Sequence, residues 1–117
     1  MVAIVDDDES IRFALQDLMQ VVGLTARTFA SAEEFLESGE QGRTGCLITD
    51  VRMPGISGLE LQTMLNTAKC EIPIIFITAH GDEQVRTQAL RAGAVEFISK
   101  PFDDEALVAS VRAVLES

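Results

Sequence analysis

Three consecutive aspartates, Asp6, Asp7 and Asp8, follow directly on the apolar run VAIV at positions 2–5, and Asp50 closes a second apolar run, CLIT at 46–49. Thr78 and Lys100 end or follow two more runs of the same kind. Two carboxylates held about 4 Å apart repel by roughly 4 kcal/mol at the effective dielectric of a protein surface, so something must offset the crowding. A solvated turn would spread the charges, a helix N-terminus could accept one or two, and a bound cation would hold two together. If Asp6, Asp7 and Asp50 meet, their oxygens make a pocket for a hard divalent cation. Mg2+ fits best, with Mn2+ as its substitute, because it takes one or two carboxylates, keeps several waters and shares a phosphate ligand. Lys100 would add a point charge and Thr78 a hydroxyl donor, which together describe a phosphoryl site with one carboxylate as the nucleophile of an acyl phosphate.

Whether these side chains meet depends on the elements that carry them. Short β-rich runs at 2–5, 24–29, 46–49, 72–78 and 94–99 alternate with amphipathic stretches. Ile11, Ala14, Leu15, Leu18, Met19 and Val22 recur at the spacing of one helix face, and Leu107, Val111, Val114 and Leu115 repeat the pattern at the other end. Ser31 with Glu34 and Ser57 with Glu60 have capping-box spacing, Asp103 leads a first turn with Asp104 and Glu105, and Gly23, Gly39 and Gly93 stand where helices should stop. Strand and helix alternating in this way predict an α/β fold with one five-stranded parallel sheet, doubly wound, since parallel neighbours need right-handed crossovers. The third and fourth runs are almost wholly apolar, as central strands should be.

In such a sheet, ligands bind beyond the carboxyl ends of the strands. Asp6 and Asp7, Asp50, Thr78 and Lys100 are the residues found there. Taken singly, each has a plainer reading: DDD as a solvated turn or cap, Asp50 as a turn residue before Pro54 and Gly55, Thr78 as a strand end, Lys100 as a surface lysine, Phe97 as core packing and His80 as an exposed loop residue. Independent turn residues have no reason to share one sheet edge, and that convergence favours the site.

Composition narrows the partners. The 117 residues are enough for one domain with a proper core, built from Ile, Val, Leu, Ala and Met because Phe is the only aromatic present. A formal net charge of −10 argues against nucleic acid or an anionic membrane as a direct partner of this domain. The apolar start MVAIV is too short for a signal peptide, and no run has the length of a membrane span. Cys46 and Cys70 have neither metal nor disulfide-framework spacing, so a reduced cytoplasmic setting is expected, with Cys46 in the core and Cys70 incidental.

The chain resembles the receiver domains of bacterial two-component response regulators over essentially its whole length, 1–117. The likeness rests on the acidic pair in VDDDESIR, on LITDVRMPGISGLEL, on the Thr-Ala of IFITAHGD and on the Lys-Pro of FISKPF, all in the family's order and spacing. It implies a flavodoxin-like sheet of order 2-1-3-4-5 and Asp50 as the acceptor of a phosphoryl group from a sensor histidine kinase. It implies that Asp6 and Asp7 organise the metal, with Asp7, Asp50 and the Arg52 carbonyl as ligands, and that Asp8 lies at the start of the first helix. Thr78 and Phe97 match the switch pair, although Phe stands where many relatives carry Tyr, so a phenolic hydroxyl is absent. By the same resemblance the bond before Pro101 is cis. Arg52, two after the acceptor, and His80, two after the threonine, are expected to flank the path of water to the phosphoaspartate, so that their bulk and charge set its lifetime.

SAEEFLESG, GLELQ and TAHGD look most like receivers of the nitrogen-fixation regulator group, whose full-length members carry a DNA-binding helix-turn-helix. The resemblance therefore implies transcription control through an output domain absent from this chain, and a homodimer formed on phosphorylation through the face of the fourth helix, fifth strand and fifth helix. Three other classes compete. A haloacid dehalogenase-type phosphatase needs a second aspartate where Arg52 stands, and a flavin module would need a phosphate cradle where DDDES would repel one. A pseudo-receiver that binds partners without phosphorylation is the strongest rival, and the complete set of acidic pair, acceptor, threonine and lysine counts against it.

Overall fold

The computed structural model describes residues 1–79 and 82–116. Five strands, β1 (Val2–Val5), β2 (Ala26–Phe29), β3 (Cys46–Thr49), β4 (Ile74–Thr78) and β5 (Glu96–Ser99), alternate with five helices, α1 (Glu9–Val21), α2 (Ala32–Ser38), α3 (Gly58–Thr67), α4 (Glu83–Arg91) and α5 (Asp104–Glu116). A 3-10 turn at Glu40–Arg43 leads into β3. All neighbouring strands are parallel, in the order β2-β1-β3-β4-β5. Every residue of β1, β3 and β4 is buried, as interior strands covered on both faces must be, whereas β2 and β5 are only partly buried at the edges.

Alternation along each strand divides the core in two. Val2, Ile4, Cys46, Ile48, Ile75 and Ile77 pack with Leu15 and Met19 of α1 and Leu107 and Val111 of α5. Ala3, Val5, Leu47, Ile74 and Phe76 pack with Phe35 of α2, Leu61 and Leu65 of α3 and Ala89 of α4. The flavodoxin-like order anticipated from the family resemblance is thus the order observed.

The helix starts marked by Ser31, Ser57 and Asp103 fall where these caps predict them. Asp8, Ser31, Ser57 and Asp82 each accept a backbone N–H of the first turn, and Ser57 with Glu60 forms a complete capping box. The Asp103 Oδ1 accepts the N–H groups of Glu105 and Ala106 at 2.9 and 3.3 Å. Gly39 ends α2 in the left-handed region at φ 74°.

Three strands are shorter than their apolar runs suggest, starting at 26, 74 and 96. The residues before them spend their N–H groups locally: Leu24 donates to the Met19 carbonyl, Ile72 to Cys70 and Ala94 to Ala89, closing the preceding segment before pairing begins. Ala14, counted in the apolar face of α1, is exposed on its flank. Cys46 is buried as expected; Cys70 is half-buried and packs at the margin of the α2–α4 core.

Candidate functional site

Strand register brings the acidic residues together. Val5 pairs with Thr49, so the residues one step further, Asp6 and Asp50, emerge side by side, and the Asp50 N–H donates to the Val5 carbonyl at 3.2 Å. Asp6 is 2% and Asp50 7% exposed, while Asp7 faces solvent. Carboxylate oxygens of Asp6, Asp7 and Asp50 all lie within 4.8 Å of one another.

Lys100 reaches the same place from the end of β5. Its Nζ lies 3.0 Å from Asp6 Oδ2 and 3.1 Å from Asp50 Oδ2, bridging the two buried carboxylates. The Lys100–Pro101 peptide bond is cis, and the Lys100 N–H donates to the Thr78 carbonyl at 2.9 Å, which ties the lysine to the end of β4. Thr78 itself is fully buried.

Around Asp50 the main chain is closely fitted. Its Oδ1 accepts the Val51 N–H at 2.6 Å and, more weakly, the Arg52 N–H at 3.4 Å, while the Thr49 hydroxyl donates to its carbonyl at 3.0 Å. The first turn of α3 returns to the loop through a 2.8 Å bond from the Gly58 N–H to the Val51 carbonyl. Asp6 is held by the Asp8 N–H on its Oδ1 at 2.9 Å and by the Arg12 guanidinium on its main-chain carbonyl at 2.7 Å.

Burial pushes the Asp6 carboxyl above its usual range. The Asp8 N–H and Lys100 pull it down and the Asp50 charge adds to the rise, but loss of water dominates. Lys100 goes up as well: burial alone would lower it, and its hydrogen bonds and charge contacts with Asp6 and Asp50 outweigh that. The ammonium therefore stays charged across the physiological range. With a lysine already shared between them, the carboxylates still outnumber it, and an all-oxygen donor set at this spacing fits a hard divalent cation.

The aspartates, Thr78 and Lys100 are all at the carboxyl edge, as the sequence suggests. Asp8 is not part of the metal-sized cluster but caps α1 through the Ser10 N–H at 2.9 Å. Phe97 pairs in register with Phe76 on β4, packs against the core over α4 and has its ring centroid 6.1 Å from that of Phe76. It thus shares the sheet face of Phe76 and Thr78. Arg52 is exposed beside the loop, and His80 lies outside the described residues.

Two supporting residues escaped the sequence reading. Arg12 gives no signal in the sequence, since nothing in its type or spacing reveals a main-chain partner six residues back. Gly58 reads as an ordinary first helical residue, and only the fold shows that a side chain there would collide with the Asp50 main chain.

A doubly wound parallel domain with an acidic pocket at the carboxyl ends of its first and third strands, joined there by a lysine from the end of the fifth, defines a class of single-site α/β modules with a donor set that could hold a metal ion. The chain belongs to one family within it: the family model described as the response regulator receiver domain matches residues 2–112. It is 45% identical over 114 residues to the transcriptional regulatory protein FixJ of Azorhizobium caulinodans, covering 97% of this chain and 54% of that protein. Nodulation protein W of Bradyrhizobium diazoefficiens is 47% identical over 116 residues, with 99% of this chain and 51% of that protein covered. Among solved structures, the FixJ-N crystal structure superposes with a TM-score of 0.89 at 42% identity, over 98% of this chain and 92% of that one. Within the receiver family the chain is therefore of the FixJ-like group, and it spans about half the length of the curated relatives it matches.

Proposed function

We propose that this domain is a phosphoaspartyl switch in which Asp50 takes a phosphoryl group from a phosphohistidine of a sensor histidine kinase. The observation that carries the reading is the meeting of Asp6, Asp7 and Asp50 within 4.8 Å, with Lys100 bridging Asp6 and Asp50. A carboxylate oxygen of Asp50 attacks phosphorus, the P–N bond to the histidine breaks, and an acyl phosphate forms on Asp50. Lys100 then has a phosphoryl oxygen to neutralise in place of a carboxylate, and the Thr78 hydroxyl donates to another. Mg2+ or Mn2+, held by Asp7, Asp50 and the Arg52 carbonyl and organised by Asp6, supplies charge neutralisation when bound. The chemistry is the domain's own, so small phosphoryl donors serve as well as a kinase.

Thr78 drawn toward the phosphoryl group leaves room behind it for the Phe97 ring, on the same face, and the change reaches the surface formed by α4, β5 and α5. Phosphorylated copies pair through that surface. The kinase partner implies a cytoplasmic location, and the names of the FixJ and similar relatives support transcription control by the whole protein through a separate output domain. Arg52, two residues after the acceptor, and His80, two residues after Thr78 in the sequence, tune the lifetime of the phosphorylated form, so small replacements at either change it.

Intact mass after incubation with acetyl phosphate tests the core of this reading. A single added phosphoryl group that requires Mg2+ and is lost in Asp50→Asn is the expected result. No gain of mass under any condition would return the domain to a partner-binding module without phosphorylation.

A further inference from the structure

We propose that Arg12 is a positioning residue for the cation site, fixing the Asp6–Asp7 peptide so that the exposed Asp7 carboxylate is aimed at Asp50. The inference rests on the metal reading above and adds to it a residue that touches no ligand itself.

Asp6 and Asp50 are buried and held by bonds to their own side chains, from Asp8 N–H and Lys100 in one case and from Val51 N–H and Lys100 in the other. Asp7 is exposed, so its direction comes from the backbone on either side of it. On the far side, the Asp8 side chain anchors the chain to α1 through the Ser10 N–H. On the near side, the Asp6 N–H is bonded to the Phe29 carbonyl at 3.2 Å, and the Asp6 carbonyl takes the Arg12 Nη1 at 2.7 Å. A peptide unit is planar, so fixing its oxygen fixes the plane that carries the Asp7 nitrogen. Without Arg12 the carbonyl loses this anchor, leaving the Asp8 N–H bond to the Asp6 side chain to restrain the turn, and the Asp7 Cβ moves with whatever rotation the plane gains.

Electrostatics alone makes the opposite forecast, which separates the two roles. A guanidinium near a cation site repels the cation, so a purely electrostatic Arg12 would weaken binding and its removal would strengthen it. Outer residues that orient metal ligands typically contribute about 10- to 100-fold in metal affinity. A positioning Arg12 therefore predicts weaker binding in spite of the more favourable net charge.

The test is Mg2+ affinity of the full 117-residue chain at neutral pH by calorimetry, with metal-free melting measured alongside, for wild type, Arg12→Ala, Arg12→Lys and Asp7→Asn. The expected result is that Arg12→Ala weakens Mg2+ about tenfold, that Arg12→Lys, which keeps a donor, recovers part of the loss, and that Asp7→Asn abolishes most binding. Arg12→Ala binding as well as wild type or better, with Asp7→Asn still defective, would overturn the positioning role and leave the metal site standing. Equal losses in both Arg12 variants that track a fall in metal-free melting would reassign Arg12 to packing. Wild type that fails to bind Mg2+ would remove the metal reading and this inference together.

Discussion

Gly58 lies so close to Asp50 that a Cβ added to it would overlap the Asp50 carbonyl, with the Phe76 ring closing the third side. Helix α3 thus begins in contact with the main chain of the acceptor. Glycine to alanine at a helical position ordinarily stabilises by about 0.5–1 kcal/mol. Here the neighbour is backbone at the end of an interior strand and has nowhere to go, so Gly58→Ala should destabilise by about 1–3 kcal/mol in urea unfolding. It should also slow phosphorylation of Asp50 by acetyl phosphate. Gly42→Ala, where a Cβ meets nothing within 4 Å, is the matched control and should be close to neutral in both measurements.

Asp6 gives a pH signature with a definite sign. Its folded carboxyl titrates above the ordinary value of 3.8 because burial disfavours the charged form. The stability attached to it is therefore complete below that ordinary value and is lost as pH rises through the folded pKa. Asp6→Asn, which keeps shape but cannot ionise, should melt higher than wild type at neutral pH without metal. That advantage should shrink as pH falls and vanish below 3.8, where folded and unfolded wild type both hold the proton. Saturating Mg2+ should reverse the order, since only wild type gains from binding at an intact acidic set.

The two thiols should differ in reactivity. Burial beneath α1 and α5 pushes the Cys46 thiol up to about 12, so almost no thiolate forms in the native protein. Cys70 is half-buried in the middle of the connection from α3 to β4. Native protein treated with iodoacetamide at pH 8 should gain a single adduct, mapping to Cys70 by peptide mass, and a second adduct at Cys46 should appear only in denaturant. Equal native labelling of both would show that β3 opens far more readily than its buried position implies.

How much of this was legible in the chain depends on whether the controlling interaction is local. Caps are local, so Ser31, Ser57 and Asp103 marked their helices, and a fully apolar run such as CLIT declared an interior strand. The site was legible because parallel strands put their last residues on one edge, so a strand-end aspartate, threonine and lysine can be assigned to one pocket before any distance is known. Strand starts were overcalled because Leu24, Ile72 and Ala94 look like strand residues but give their N–H groups to the segment before. Arg12 and Gly58 were not legible as supports of the site, since the contacts that define them are with main-chain oxygens, whose placement only the folded turn decides.

Helix α4 is fastened at one end by side chains of α3. The Gln62 Nε2 donates to the Ala89 carbonyl, which also takes the Ala94 N–H, and the Asn66 Nδ2 donates to the Ala92 carbonyl, both amide bonds at 3.0 Å, so amides one turn apart on α3 hold two carbonyls at the end of α4. Gln62 is 2% exposed and Asn66 is open to solvent. Replacing the buried amide with Gln62→Leu keeps most of the volume and removes one of the two donors to the Ala89 carbonyl, which keeps the Ala94 N–H, so it should cost about 0.5–1.5 kcal/mol. Asn66→Ala should cost less, because water can replace the lost partner. Gln62→Glu sharpens the case: ionised, it has no proton to give and sets a buried charge against a carbonyl, while protonated it can donate again. Its deficit should therefore be largest at neutral pH and shrink on acidification, whereas that of Gln62→Leu should be flat. Since α4 buries only Ala89 completely, loss of the clasp should appear in hydrogen exchange as faster opening at the end of α4, with the amides of α1 unchanged. Uniformly faster exchange in both helices would mean that the amides stabilise the domain as a whole, with no special hold on α4.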